Sequence, residues 1–289
     1  MSILAQISQE RDDSGSSRAD LMGLLREKAR WVCRETLEIH RIAPGIRLAS
    51  SLSCIEILTV LYYGGILSHD PKDIFSEGRD RLVISKAHGS VSFYPILADL
   101  GYFGKEQLRI VGKPGSVLGD IPDCSIPGYE TINGSLGHGL GVACGMAIAL
   151  KNKKRGEKVF VLCGDGELYE GSVWEAVMFA AHHNLNNLVL IIDNNKICML
   201  DYCVNVVNME PIARKFEAFN WRTETVNGHN VEALYSVLSR AKQDEGRQPK
   251  VIIADTVKGR GVPRLETDSL CHIKALKPDE IDRLLREME

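Results

Sequence analysis

The densest chemistry in this sequence lies in two short segments. Gly164-Asp165-Gly166 is followed by Glu167, Glu170 and Gly171, and Asp193-Asn194-Asn195-Lys196 puts Asn195 thirty residues after Asp165. A carboxylate, an amide oxygen and a neighbouring backbone carbonyl form a hard, oxygen-only donor set. Such a set suits Mg²⁺ or Ca²⁺ bound together with a diphosphate that completes the octahedron. The flanking glycines allow positive φ and a close approach of backbone to phosphate. A helix beginning near Ser172 would aim its N-terminus at the same region, which favours anions. GDG alone marks only a turn. Paired with an Asn-bearing segment one strand–helix–strand unit later, it marks a site.

The elements that would hold these residues follow from periodicity. Apolar runs at Arg81 to Ser85, Lys158 to Cys163, Leu188 to Asp193, Trp221 to Val226 and Lys250 to Asp255 read as strands. Helical spacing marks Leu21 to Ile42, with Leu21, Leu24, Leu25, Ala29, Val32 and Cys33 on one stripe. Further helices are expected at Glu56 to Tyr63 with Ser53 as N-cap, Gly89 to Leu100, Leu136 to Leu150, Ser172 to His183, Pro211 to Phe219, Val231 to Lys242 and Pro278 to Met288. The Gly- and Pro-rich stretch from Gly112 to Gly134 reads as a long loop. Continuously apolar strands alternating with helices predict an α/β fold, a parallel sheet covered by helices on both faces. Ligands of such sheets bind beyond the carboxyl ends of the strands. Residues just after Cys163, Asp193 and Asp255 are therefore the expected site.

Composition narrows the class. The chain has 289 residues, 44% hydrophobic and 25% charged, which excludes disordered, collagen-like and coiled-coil chains. Residues 1–20 are polar and Ser-rich and read as a disordered tail, leaving residues 21–289 as one domain. The net charge of −3 and the absence of a long basic run argue against nucleic acid. No segment approaches a membrane span, and no signal peptide opens the chain, so a cytoplasmic location is expected. The eight cysteines include no C-x-x-C pair and read as reduced thiols rather than zinc ligands.

GDGELYEGSVWEA followed by LVLIIDNNKI resembles the thiamine-diphosphate motif, and its EGSVWEA portion resembles transketolases. SSLSCIEILTVLYY, RDRLVISKAHG, GSLGHGLGVACGMAIAL and DTVKGRGVPRLE with CHIKA resemble further transketolase segments in the same order. The likeness runs from about Ile46 to His272. It implies a thiamine-diphosphate-binding fold and a two-carbon ketol transfer between sugars. By this resemblance Asp165, the Asn195 side chain and the Ile197 carbonyl would hold Mg²⁺ or Ca²⁺ against the diphosphate. Gly134, Leu136, Gly164, Gly166 and Glu167 would contact the cofactor or its neighbourhood. His88 and His272 would line the reacting centre, and Glu170 would join an acidic network that bridges subunits. His138 stands where the family carries Gln, which leaves a substrate-side role open.

The sequence also departs from the family. Ile46-Arg47 replaces a Gly-His pair, and Ile121 replaces a second histidine. Arg47 stays protonated and is no general base; it could bind an oxyanion. The resemblance further implies a glutamate from a pyrimidine-binding domain, for which no room is found before Glu289. The expectation is the N-terminal subunit of a split transketolase, working on small sugars with a C-terminal subunit in an α₂β₂ assembly. The alternatives are another thiamine-diphosphate reaction, deoxyxylulose-phosphate-synthase-like or 2-oxo-acid decarboxylating, or a non-catalytic partner subunit.

Overall fold

Each of the five apolar runs becomes a strand, and all five pair in parallel. The computed structural model describes residues 15–132 and 134–288. The strands are β1 (Arg81–Ile84), β2 (Val159–Gly164), β3 (Leu188–Asn194), β4 (Arg222–Asn227) and β5 (Lys250–Asp255), in the order β1-β2-β3-β5-β4. The register sets Gly164 beside Asp193 and Asn194 beside Asp255, so β2, β3 and β5 end level with one another.

Side-chain alternation divides the strand residues between two cores. Leu82, Phe160, Leu162, Val189, Ile191 and Ile252 face one side. There they meet α1 (Gly15–Ile42), α3 (Ile55–Tyr63) and α9 (Val231–Gln243), together with α11 (Pro278–Glu287). Val83, Val161, Cys163, Leu190, Ile192 and Ile253 face the other side. They are covered by α5 (Gly139–Asn152), α6 (Gly171–His182) and α8 (Ile212–Ala218). Burial on both faces explains why these strands read as continuous apolar runs. The exception is β4, an edge strand with exposed polar residues.

Several expectations are corrected. The first helix begins at Gly15, not Leu21. Arg18 donates to Ser236 at 3.2 Å and pairs with Glu232, both on α9, a tertiary tether that periodicity cannot reveal. The expected tail of residues 1–20 is thus helical over residues 15–20, while residues 1–14 lie outside the described residues. The Ser53 N-cap is not formed. Ser53 instead closes a short helix, α2 (Leu48–Leu52), and Cys54 precedes α3. The expected helix at Gly89 is a 3₁₀ segment, Ala87–Ser92, that passes into α4 (Phe93–Leu100). Pro95 is tolerated in the first turn of α4, where its missing N–H has no intrahelical partner anyway. No helix of the described residues is long and apolar enough to cross a membrane.

Candidate functional site

The carboxyl ends of β1, β2, β3 and β5 surround a cavity of about 290 Å³. Its wall includes His88, Leu136, Gly164, Asp165, Gly166, Glu167, Glu170, Asn195, Ile197 and His272. These are the residues singled out from the strand-end spacing and the motifs. Gly134 lies outside this lining, against Ile121. His138 is exposed at the N-terminus of α5 and does not reach the cavity.

Asp165 is buried in the turn after β2. Its Oδ1 accepts from the Gly166 N–H at 2.8 Å and its Oδ2 from the Lys196 N–H at 2.5 Å. Burial, followed by repulsion from Asp193, raises its pKa to about 6. A carboxylate in this position gains from a cation beside it. Asn195 gives its amide N–H to Asp193 Oδ2 at 3.1 Å, which fixes the amide orientation and leaves Oδ1 as the outward oxygen. That oxygen accepts from the Ile197 N–H at 3.2 Å. The Ile197 carbonyl in turn accepts from Lys258 Nζ at 2.6 Å. The donor set is therefore one carboxylate, one amide oxygen and one carbonyl, with an ammonium at hand. This chemistry fits a hard divalent cation that shares a polyanionic ligand. Among the described residues, no three His, Cys, Asp or Glu side chains form a metal-ligating group.

A buried polar network holds the cation set from behind. Asp193 is fully enclosed and accepts from Lys86 Nζ, from Ser53 Oγ at 2.6 Å and from Thr256 Oγ1. Burial alone would raise its pKa, but the Lys86 ammonium and these donors hold it below the ordinary carboxylate value. Lys86 also donates to the Ser50 carbonyl at 3.1 Å, tying α2 to the strand ends.

Glu167 is placed in the cavity wall, but its carboxylate is consumed by the protein. It accepts from the Gly137 N–H at 2.9 Å, from the Gly164 N–H at 3.2 Å and from Ser85 Oγ. It braces the GDG turn against the start of α5. Glu170, by contrast, is exposed at the rim and N-caps α6 without a side-chain cap bond. The imidazoles of His88 and His272 meet edge-on, with ring centroids 5.9 Å apart. Ser50 Oγ shares a hydrogen bond with His272 Nδ1 at 3.2 Å. Burial, then the Lys258 charge, lowers the His272 pKa to about 3, and burial lowers His88 as well. Both are neutral near pH 7 and can give or take a hydrogen bond.

Sequence reasoning missed Lys86, Lys258 and Ser50. Each lies within a quoted motif, next to a strand end or on α2, and that position was the available signal. It also missed Cys198, Met199, Leu200 and Val206, which bring an apolar loop to the cavity rim.

The model of the family described as "Transketolase, thiamine diphosphate binding domain" matches residues 43–288. An apulose-4-phosphate transketolase subunit of Actinobacillus succinogenes is 37% identical over 92% of this chain and 96% of its own length. A 6-deoxy-6-sulfo-D-fructose transketolase subunit of a Clostridium species is 34% identical over 92% of this chain and 96% of its own length. The crystal structure of a Campylobacter jejuni transketolase superposes with a TM-score of 0.86 at 31% identity. That superposition covers 92% of this chain but only 43% of the longer transketolase chain.

Proposed function

The chain belongs to the transketolase family, and we propose that it is the diphosphate-binding, N-terminal subunit of a two-chain transketolase. In this reading it moves a two-carbon ketol unit from a ketose or ketose-phosphate donor to an aldehyde acceptor. Two relatives named as transketolase subunits, each matched over almost its full length, support the two-chain form.

The observation that carries the reading is the convergence of Asp165, Asn195 and the Ile197 carbonyl at the ends of β2 and β3. These three would hold Mg²⁺ or Ca²⁺. Lys258 and the backbone around Gly164 and Gly166 would face the diphosphate, with Leu136 lining the wall beside it. Thiamine diphosphate, when bound, supplies the nucleophilic carbon and the electron sink of the reaction. His88 and His272 stand on the same wall as neutral donors and acceptors, suited to holding or moving a proton on a sugar oxygen. Ser50 fixes the ring orientation of His272. Glu170 at the rim is free to meet an acidic or amide group of another protein.

The surface around the cavity supports a partner chain carrying a pyrimidine-binding domain, in an α₂β₂ assembly. Met199, Leu200 and Val206 are exposed at the cavity, and away from it Val142, Met178 and Phe179 are exposed on α5 and α6. Exposed apolar residues at a site and on the helices beside it mark faces that another protein covers. The eight unpaired cysteines fit a reducing compartment, the cytoplasm.

Asp165→Ala removes the carboxylate of the cation set, and calorimetric titration with thiamine diphosphate tests it. We expect Mg²⁺-dependent binding to the wild-type chain and none to the variant. Equal affinities for the two proteins would refute the cation assignment.

A further inference from the structure

A second cavity, of about 410 Å³, lies at the other end of β1 from the site described above. Arg79, Asp80 and Leu82, at the amino end of that strand, form part of its wall. The two cavities share no lining residue. Its size falls within the roughly 300–1,000 Å³ of small-molecule sites.

The wall is rich in rings. Tyr62 and His69 lie with centroids 5.0 Å apart, and His69 and Tyr102 stack at 6.1 Å with 25° between their planes. Tyr129 and the 83% exposed Phe75 add two more rings, and Leu67, Ile74 and Ile126 supply apolar surface. Flat ring faces pair best with another flat ring.

The charged groups of this wall are already answered within the protein. Arg79 donates to Glu130 from two nitrogens, one of them at 3.0 Å. Asp80 accepts from Lys242 Nζ at 2.7 Å, from the Ser68 N–H at 2.7 Å and from the Lys158 N–H at 2.8 Å. Burial lowers the His69 pKa, so the imidazole is neutral near pH 7, and its Nδ1 shares a hydrogen bond with the Tyr102 hydroxyl at 3.2 Å. An ionic ligand would bring a charge that finds no free counter-charge, which disfavours it against a neutral one. Tyr62 adds a free donor. It is 4% exposed, and its hydroxyl makes no hydrogen bond among the described residues. Burial raises its pKa well above the ordinary value, so the hydroxyl keeps its proton. A ligand acceptor would complete it.

We propose that this cavity is a second binding site, for a small neutral aromatic molecule that carries a hydrogen-bond acceptor. The ring lies among the aromatic side chains, and the acceptor takes a hydrogen bond from the Tyr62 hydroxyl. The inference uses none of the residues of the cation set and stands apart from the transketolase reading.

Calorimetric titration of the full-length chain with benzamide, benzoate and cyclohexanecarboxamide tests it, since these probes differ in charge or in aromaticity. We expect benzamide to bind more tightly than either of the others. Tyr62→Phe should weaken benzamide binding about fivefold, the scale of one neutral hydrogen bond. Methyl-resolved NMR then places the probe. Saturating benzamide should shift the methyl signals of Leu67, Ile74 and Ile126 and leave those of Leu136, Leu200 and Val206, in the other cavity, unmoved. Four results would each overturn the proposal: no benzamide binding by the wild type, equal or tighter binding of benzoate or cyclohexanecarboxamide, unchanged benzamide affinity in Tyr62→Phe, or shifts confined to Leu136, Leu200 and Val206. The probe series and the methyl map use the wild type alone, so they decide the proposal even where Tyr62→Phe fails to fold.

Discussion

Lys86 and Asp193 bring opposite charges into the interior, where Asp193 is fully enclosed and Lys86 nearly so. Such a pair stabilises little by itself, but breaking one side strands the other charge. Lys86→Met should cost about 3–5 kcal/mol in urea denaturation, because Asp193 keeps its charge with one fewer donor. The double variant Lys86→Met/Asp193→Asn should recover most of that loss. A single-variant loss below about 1 kcal/mol would show that the pair carries no such burden. The same two residues show what the sequence could and could not say about the site. Asp165 and Asn195 were legible because strand ends and a one-unit spacing place them, and Ile197 through the resemblance of its motif to transketolases. Lys86, Lys258 and Ser50 sat in recognised motifs and went unassigned, since a lysine is solvated by default and only burial shows otherwise. Glu167 was legible as a wall residue but not as a brace, because its three partners come from three separate segments.

At the scale of elements, the site depends on how closely α5 approaches the end of β1. Gly139 begins that helix, and a Cβ there would fall 2.4 Å from Ser85 Oγ and 2.9 Å from Ser85 Cα. Ser85 Oγ also accepts from the Gly139 N–H at 3.1 Å and donates to Glu167. Gly139→Ala should force the helix away, at a cost of about 1–3 kcal/mol, and loosen the GDG turn through Glu167. Thermal unfolding together with cofactor titration checks both effects, and an unchanged Tm would refute the close contact. A second tie joins α1 to the segment before α11. His40 Nε2 accepts from the Leu276 N–H at 3.1 Å, and burial lowers the His40 pKa from 6.5 to about 4. The unfolded chain takes up a proton near pH 6.5, whereas the folded chain does not until about pH 4. This contribution to stability is full above pH 6.5 and is lost as pH falls through that window, about 3 kcal/mol in all. His40→Gln should make the loss of stability between pH 6.5 and 4 shallower but not abolish it, since His272 and His88 titrate in the same sense; an unchanged wild-type slope in that variant would assign the effect elsewhere. Neither tie was legible beforehand. The strands and long helices were, because their apolar periods are set by burial on both faces. The Gly15 start and the α2–α3 break were not, because Arg18 and Ser53 answer to distant residues, α9 and Asp193.

At the scale of the whole molecule, the cation set and the two neutral imidazoles share one mouth, rimmed by exposed apolar side chains. The chain spans almost the full length of relatives named as subunits, but only about two fifths of single-chain transketolases. In the proposed reading its site holds the diphosphate half of the chemistry, and a second protein is needed to activate the cofactor. The most direct test measures ketol transfer from a ketose donor to an aldehyde acceptor, with thiamine diphosphate and Mg²⁺ present. The purified chain is assayed alone and after mixing with a chain that carries the transketolase pyrimidine-binding domain. The account predicts no turnover from either chain alone and turnover from the mixture. Turnover by this chain alone would contradict it.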